Sequence, residues 1–161
     1  MPPAEEILVR PAGGTDLPHV LDAVRATRVP GLVAGGLTEA DAERRAEEEL
    51  ARLLPDGLAT PGMVFLVADE GGTSVGTLWL ALRGPGPAGT SWIYNVHVVP
   101  AARGRGVART LMQAARDEAA RLGATALGLN VAGSNTAARA LYESLGYEIT
   151  ALQMRLPLAG P

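Results

Sequence analysis

The chain has 161 residues, 47% of them hydrophobic and 19% charged, which is enough for one domain with a core and leaves no room for a second. A net charge of −3 and a pI near 5.4 argue against general affinity for nucleic acid or anionic lipid. No apolar run approaches the ~20 residues that span a bilayer, and the acidic start MPPAEEILVR lacks a secretory leader's pattern, so the expectation is one cytoplasmic domain over 1–161.

A short first strand is expected in the 5–10 region. Thr15 or Asp16 can cap a helix whose Leu17, Val20, Leu21 and Val24 recur at helical spacing, with breaks expected at Pro30-Gly31 and Gly35-Gly36. Thr38 followed by Asp41 resembles a capping box and opens a second helix, roughly 39–54, whose charged run 44–49 reads as a solvated face. Residues 63–68 and 75–82 read as a hairpin around Gly71-Gly72. Trp92 to Val99 reads as a nearly unbroken apolar strand of a sheet interior. A helix follows over 105–121 and stops at Gly123, then a strand over 126–131. A helix capped by Ser134 runs to Leu145, and a last strand is expected over 147–156. Strands and helices interleave around one mixed sheet, an α/β or α+β architecture.

The most informative stretch is Val98 to Ala108, where a strand runs into the glycine turn Arg103-Gly104-Arg105-Gly106 and opens a helix at Val107. A helix start presents unpaired N–H groups and the positive end of the macrodipole, so it suits a pyrophosphate. Glycines let phosphate oxygens approach the backbone, and Arg103, Arg105 and Arg109 add donors. All fourteen basic residues are Arg, so a Walker A loop, which needs Lys, is excluded. A dinucleotide fingerprint would need a third Gly where Arg109 stands. The pattern Arg/Gln-x-x-Gly-x-Gly/Ala is met by Arg103, Gly106 and Ala108.

That loop and the later string LNVAGSNTAARALYESLGY (129–147) together resemble the GNAT family of N-acetyltransferases, strongly over 91–156 and elsewhere through element order. The resemblance implies the GNAT fold, with a mixed central sheet of about six to seven strands and helices on both faces. It also implies splayed strands ending at Val99 and Val131 that hold the pantetheine arm of acetyl-CoA against backbone of Val96, His97 and Val98, with the pyrophosphate on the loop Arg103, Gly104, Arg105, Gly106, Val107, Ala108. Asn135 would contact the same co-substrate, and Tyr142 would lie near its sulfur and protonate the leaving thiolate. Otherwise Asn135 caps a helix and Tyr142 fills core.

Relatives often carry a Glu base in the strand before the loop or in the next strand. Here the first reads Trp92 to Val98 without a carboxylate, and Asn130 holds the second place. His97 is the candidate base, since an imidazole with pKa near ~6.5 suits that work; the alternatives are an imidazole bonded to a neighbour, with a water held by Asn95, Asn130 or backbone carbonyls as acceptor. Strand parity sets Asn95 and His97 on one face and Trp92 and Tyr94 on the other. His19 is expected at the surface or in a structural role, and Glu70 and Glu148 solvated. Acceptor-contacting segments are expected at 28–37, as an apolar loop, and at 55–62 and 84–90. Without cysteine no acetyl-enzyme forms on a thiol, so direct attack by a primary amine is expected, whether a small amine, an amino acid or a peptide or protein amine. No metal is expected with only two histidines, and a homodimer is allowed. The competing reading is a GNAT-fold module that binds acyl-CoA without turnover.

Overall fold

The computed structural model describes residues 6–158; position 5 of the expected first strand lies outside them. They divide into two compact units, one reaching Asn130 and the other beginning at Val131.

The first unit is built on a five-stranded sheet in the order β1 (Ile7–Pro11), β2 (Met63–Glu70), β3 (Thr73–Ala81), β4 (Thr90–Val98) and β5 (Ala126–Leu129). All pairs are antiparallel except β4 with β5, so the sheet is mixed as expected. β2 and β3 form the expected hairpin.

Residue parity on β3 assigns the two faces. Trp79 joins Phe65, with Val20 and Val24 of α1 (Leu17–Ala34), Leu50 of α2 (Glu39–Leu53) and Leu54 just after it, in one core cluster. Gly76, three residues back and so on the opposite face, sits under α3 (Val107–Arg121), where a Cβ would come within 3.0 Å of Val107 and Leu111 side chains. A side chain at 76 would push the start of α3 off the sheet, so this glycine seats the helix that opens the loop.

Three expectations about the helices need correction. α1 does not break at Pro30-Gly31 but runs to Ala34. The proline removes one helix hydrogen bond at an exposed position, and ion pairs of Arg25 with Glu47 and of Arg28 with Glu49 (2.8 Å) clamp this end of α1 to α2. The apolar acceptor loop over 28–37 therefore shrinks to a short turn after Ala34. Asp16 occupies the N-cap of α1 without bonding that helix. Its carboxylate instead accepts from the Gly13 N–H at 2.7 Å and from Arg10, which also grips Asp69 of β2. Thr38 does cap α2, accepting from the Asp41 N–H at 3.2 Å.

The second unit carries α4 (Thr136–Ser144). Its cap is Asn135 rather than Ser134, and it ends at Ser144, with Gly146 just beyond its C-cap at φ +90°. The strand expected over 147–156 does not form, because a strand needs a ladder partner and this segment has none among the described residues. Its Leu152, Met154 and Leu156 are exposed. The described sheet thus has five strands, not six or seven.

Candidate active site

β4 and β5 pair only from Thr90↔Ala126 to Ile93↔Leu129. Beyond Ile93, β4 continues alone on that edge to Val98, because β5 ends at Leu129, two residues short of the expected Val131. The Val99 N–H donates to the Val75 carbonyl at 3.0 Å, so the Val98↔Gly76 pair next to it is a non-bonded one. Val98 and Val96 accordingly turn their N–H and C=O groups away from β3, toward the open edge. An amide-bearing chain laid along this edge would meet the donors and acceptors of an added strand.

Arg103 reports on the same edge. Its Nε donates to the Val98 carbonyl at 3.1 Å, so the guanidinium folds back over the end of β4. The Val98 N–H faces the same open edge, away from β3.

The glycine turn follows. Gly104 and Gly106 have φ of +74° and +88°, and a Cβ at either would meet nothing within 4 Å. Backbone conformation, not crowding, requires glycine here, and the space in front of the turn is open. Gly106 is the N-cap of α3, whose first bond is from Thr110 to the Gly106 carbonyl at 3.0 Å. The N–H groups of Gly104, Arg105, Gly106, Val107 and Ala108 therefore form no hydrogen bond among the described residues. They face an open cradle at the positive end of a 15-residue helix, a fit for a pyrophosphate.

Arg105 is not held only for a ligand. Its guanidinium pairs at 2.5 Å with Glu70, whose side chain is only 9% exposed. Glu70 is thus not the solvated residue expected; it tethers the turn to the end of β2. Sequence offers no signal for this pair, because 35 residues separate the partners and only the sheet register brings them together.

The β4 face also differs from strict alternation. Trp79 pairs with Asn95, but its neighbour Leu80 pairs with Ile93, so Tyr94 is an extra, bulged residue. The bulge turns Tyr94 onto the face of Asn95 and His97, where its ring stacks on Trp79 at 4.7 Å. Trp92 packs over Gly128, where a Cβ would come within 2.5 Å of the indole. Tyr94, Asn95 and His97 thus share the face covered by α1 and α2, correcting the expectation that Tyr94 points the other way.

His97 is half-buried, and its imidazole sits below its ordinary pKa because burial disfavours the charged form, with Arg103 and then His19 adding repulsion. His19, on α1, has a buried Nε2 with no hydrogen-bond partner. His19 therefore acts on His97, which nothing in their spacing indicates.

In the second unit, the Asn135 side chain accepts from the Ala138 N–H at 3.2 Å, so its oxygen serves as a helix cap. Tyr142 is buried, its ring 5.8 Å from that of Tyr147, and burial raises its phenol pKa above the ordinary value. Its proton is retained at neutral pH. No described cluster of carboxylates and imidazoles could hold a metal ion, and no described helix is long and apolar enough to cross a membrane.

Known proteins resemble this chain in sequence and fold. The family model "Acetyltransferase (GNAT) family" matches residues 34–147. The chain is 30% identical over 128 residues to the uncharacterized N-acetyltransferase YdgE of Bacillus subtilis, covering 79% of this chain and 82% of that one. It is 35% identical over 131 residues to the N-alpha-acetyltransferase RimI of Mycobacterium tuberculosis, covering 75% and 81%. The crystal structure of YycN, an acetyltransferase-like protein of Bacillus subtilis, superposes with a TM-score of 0.85 at 26% identity, covering 96% of this chain and all of that one.

Proposed function

The chain belongs to the GNAT acetyltransferase family, and on that premise we propose that it transfers an acetyl group from acetyl-CoA to a primary amine by direct attack. The observation that carries this reading is the open cradle of unpaired N–H groups at Gly104 to Ala108, next to the unpaired edge of β4. The cradle holds the pyrophosphate, with Arg103 and Arg105 adding charge at its rim. The backbone of Val96 to Val98 holds the pantetheine amides.

Each chemical role falls to a group of this chain. The Val98 N–H meets the charge that develops on the thioester oxygen, and because it is fixed by the strand it needs no reorganisation. His97, kept neutral by burial and by cationic neighbours, accepts a proton from the attacking amine. Tyr142 supplies a proton to the departing sulfur, and its raised pKa keeps that proton in place. Asn135 orders the start of α4 and is the second unit's candidate contact to the co-substrate.

The direct test is a thermal-shift titration with acetyl-CoA followed by an assay of free thiol in the presence of amines. The reading expects both a stabilisation that grows with acetyl-CoA and an amine-dependent thiol signal. The absence of stabilisation would remove the loop assignment.

A further inference from the structure

Three neighbouring polar side chains on one face of β4, those of Tyr94, Asn95 and His97, make no hydrogen bond to any described residue. Two other buried polar side chains bond backbone carbonyls. Ser91 donates to the Leu82 carbonyl at 3.2 Å and Thr60 to the Gly57 carbonyl at 2.8 Å. Asn95 is only 7% exposed and its carboxamide bonds no described residue, yet it is not among the fully buried unpaired polar atoms, so the surface it keeps includes its polar end. A carboxamide that keeps polar surface but has no protein partner is completed by a group from outside.

The surroundings indicate what that is. Tyr94 is 37% exposed, lies flat on Trp79 and continues a stack that reaches Phe65 at 5.8 Å. This makes an aromatic wall beside Asn95, with one side of it accessible. Neither β3 nor β4 contains a carboxylate before Val98. On α1, Asp22 is bound to Arg25 at 2.9 Å, and the α2 carboxylates Glu47 and Glu49 are bound to Arg25 and Arg28. The charged or titratable groups that act on His97 are Arg103 and His19. A ligand with several ammonium groups would find no counter-charge and some repulsion here.

We infer that Tyr94 and Asn95, next to His97, form the acceptor subsite, and that it takes an α-amine flanked by a neutral amide and an aromatic or apolar group, as at a peptide N-terminus or in an amino-acid amide. The Asn95 carboxamide has both donors and an acceptor, so it pairs with a peptide group through two antiparallel hydrogen bonds. The Tyr94–Trp79 wall packs the adjoining side group. This inference rests on the acetyltransferase reading and specifies its acceptor.

The experiment compares kcat/KM for phenylalaninamide, alaninamide and a phenylalanyl tripeptide with values for spermidine and an aminoglycoside, by thiol release. The aromatic amide and the tripeptide are expected to exceed the polycations by about 100-fold. Asn95→Ala raises KM for the amides about tenfold with less effect on kcat. Asn95→Asp supplies a carboxylate and moves preference toward spermidine, and Tyr94→Leu erases the advantage of phenylalaninamide over alaninamide. Binding of N-acetyl-phenylalaninamide, followed through tryptophan fluorescence, reads the same contact without turnover and weakens in Tyr94→Leu. A preference for polycations would overturn the inference while leaving acetyl transfer intact. Amide preference that is unchanged in both Asn95 and Tyr94 variants would overturn the assignment to these residues. Failure of every amine despite acetyl-CoA binding would overturn acetyl transfer and this inference together.

Discussion

Gly106→Glu separates the strain of the glycine turn from its ligand role, because the chain supplies its own control. Gly106 and Gly123 bracket α3, both with φ of +88° and both with open space where a Cβ would go. An L side chain in the left-handed region costs about 1–2 kcal/mol, so Gly106→Ala and Gly123→Ala should each lower Tm by about 2–8 °C for a chain of this size. Acetyl-CoA at a hundred times its Kd should add about 2.7 kcal/mol to the wild type, a Tm rise of about 5–10 °C. Gly123→Ala should keep that full rise from its lower baseline. Gly106→Ala should keep part of it, and Gly106→Glu none, since its carboxylate projects toward the bound pyrophosphate. Differential scanning fluorimetry across an acetyl-CoA series reads all four proteins. A wild-type rise in Gly106→Glu, or loss of the rise in Gly123→Ala, would refute the assignment of the cradle.

Tyr142→Phe keeps the ring and removes the proton, so turnover should fall by roughly 10²-fold while the acetyl-CoA thermal shift stays unchanged; wild-type turnover would reduce Tyr142 to packing. His97 must be neutral to act as a base, so activity is gained as pH rises through its depressed pKa. The acid limb of kcat/KM should therefore lie below ~6.5. His19→Gln removes one of the groups that depress it and should move the limb upward, whereas an unmoved limb would uncouple the two histidines. His97→Ala should lose most activity at neutral pH and regain part of it at high pH, where the amine is already neutral. Glu70→Gln breaks the tether to Arg105 and should cost about 1 kcal/mol, with weaker acetyl-CoA binding by calorimetry; unchanged binding would make the pair purely structural.

The loop at 103–108 was legible because its information is local. Glycines at two positive-φ positions between a strand and a helix specify the turn whatever surrounds it. The same holds for Thr38 as a cap and for the β2–β3 hairpin. What stayed hidden depends on partners distant in sequence. Pro30 breaks helices by default, and only the ion pairs from α2 show why α1 continues. Alternation on β4 fails at Tyr94 because the bulge is a property of the β3–β4 register and not of either strand. The burial of Glu70 and the proximity of His19 to His97 are likewise tertiary facts. Residues 147–156 read as a last strand in the element order, and that order does not supply a pairing partner.

The central claim is that the cradle and the open β4 edge serve acetyl transfer and not mere acyl-CoA binding. The measurement that tests it most directly mixes the purified protein with acetyl-CoA, with and without phenylalaninamide, and follows free CoA thiol and the mass of the amine together. The account predicts thiol release that requires the amine, matched one for one by acetylated phenylalaninamide and suppressed in Gly106→Glu. Saturable acetyl-CoA binding with no amine-dependent thiol, across phenylalaninamide, spermidine and an aminoglycoside alike, would contradict it and leave a binding module in place of an enzyme.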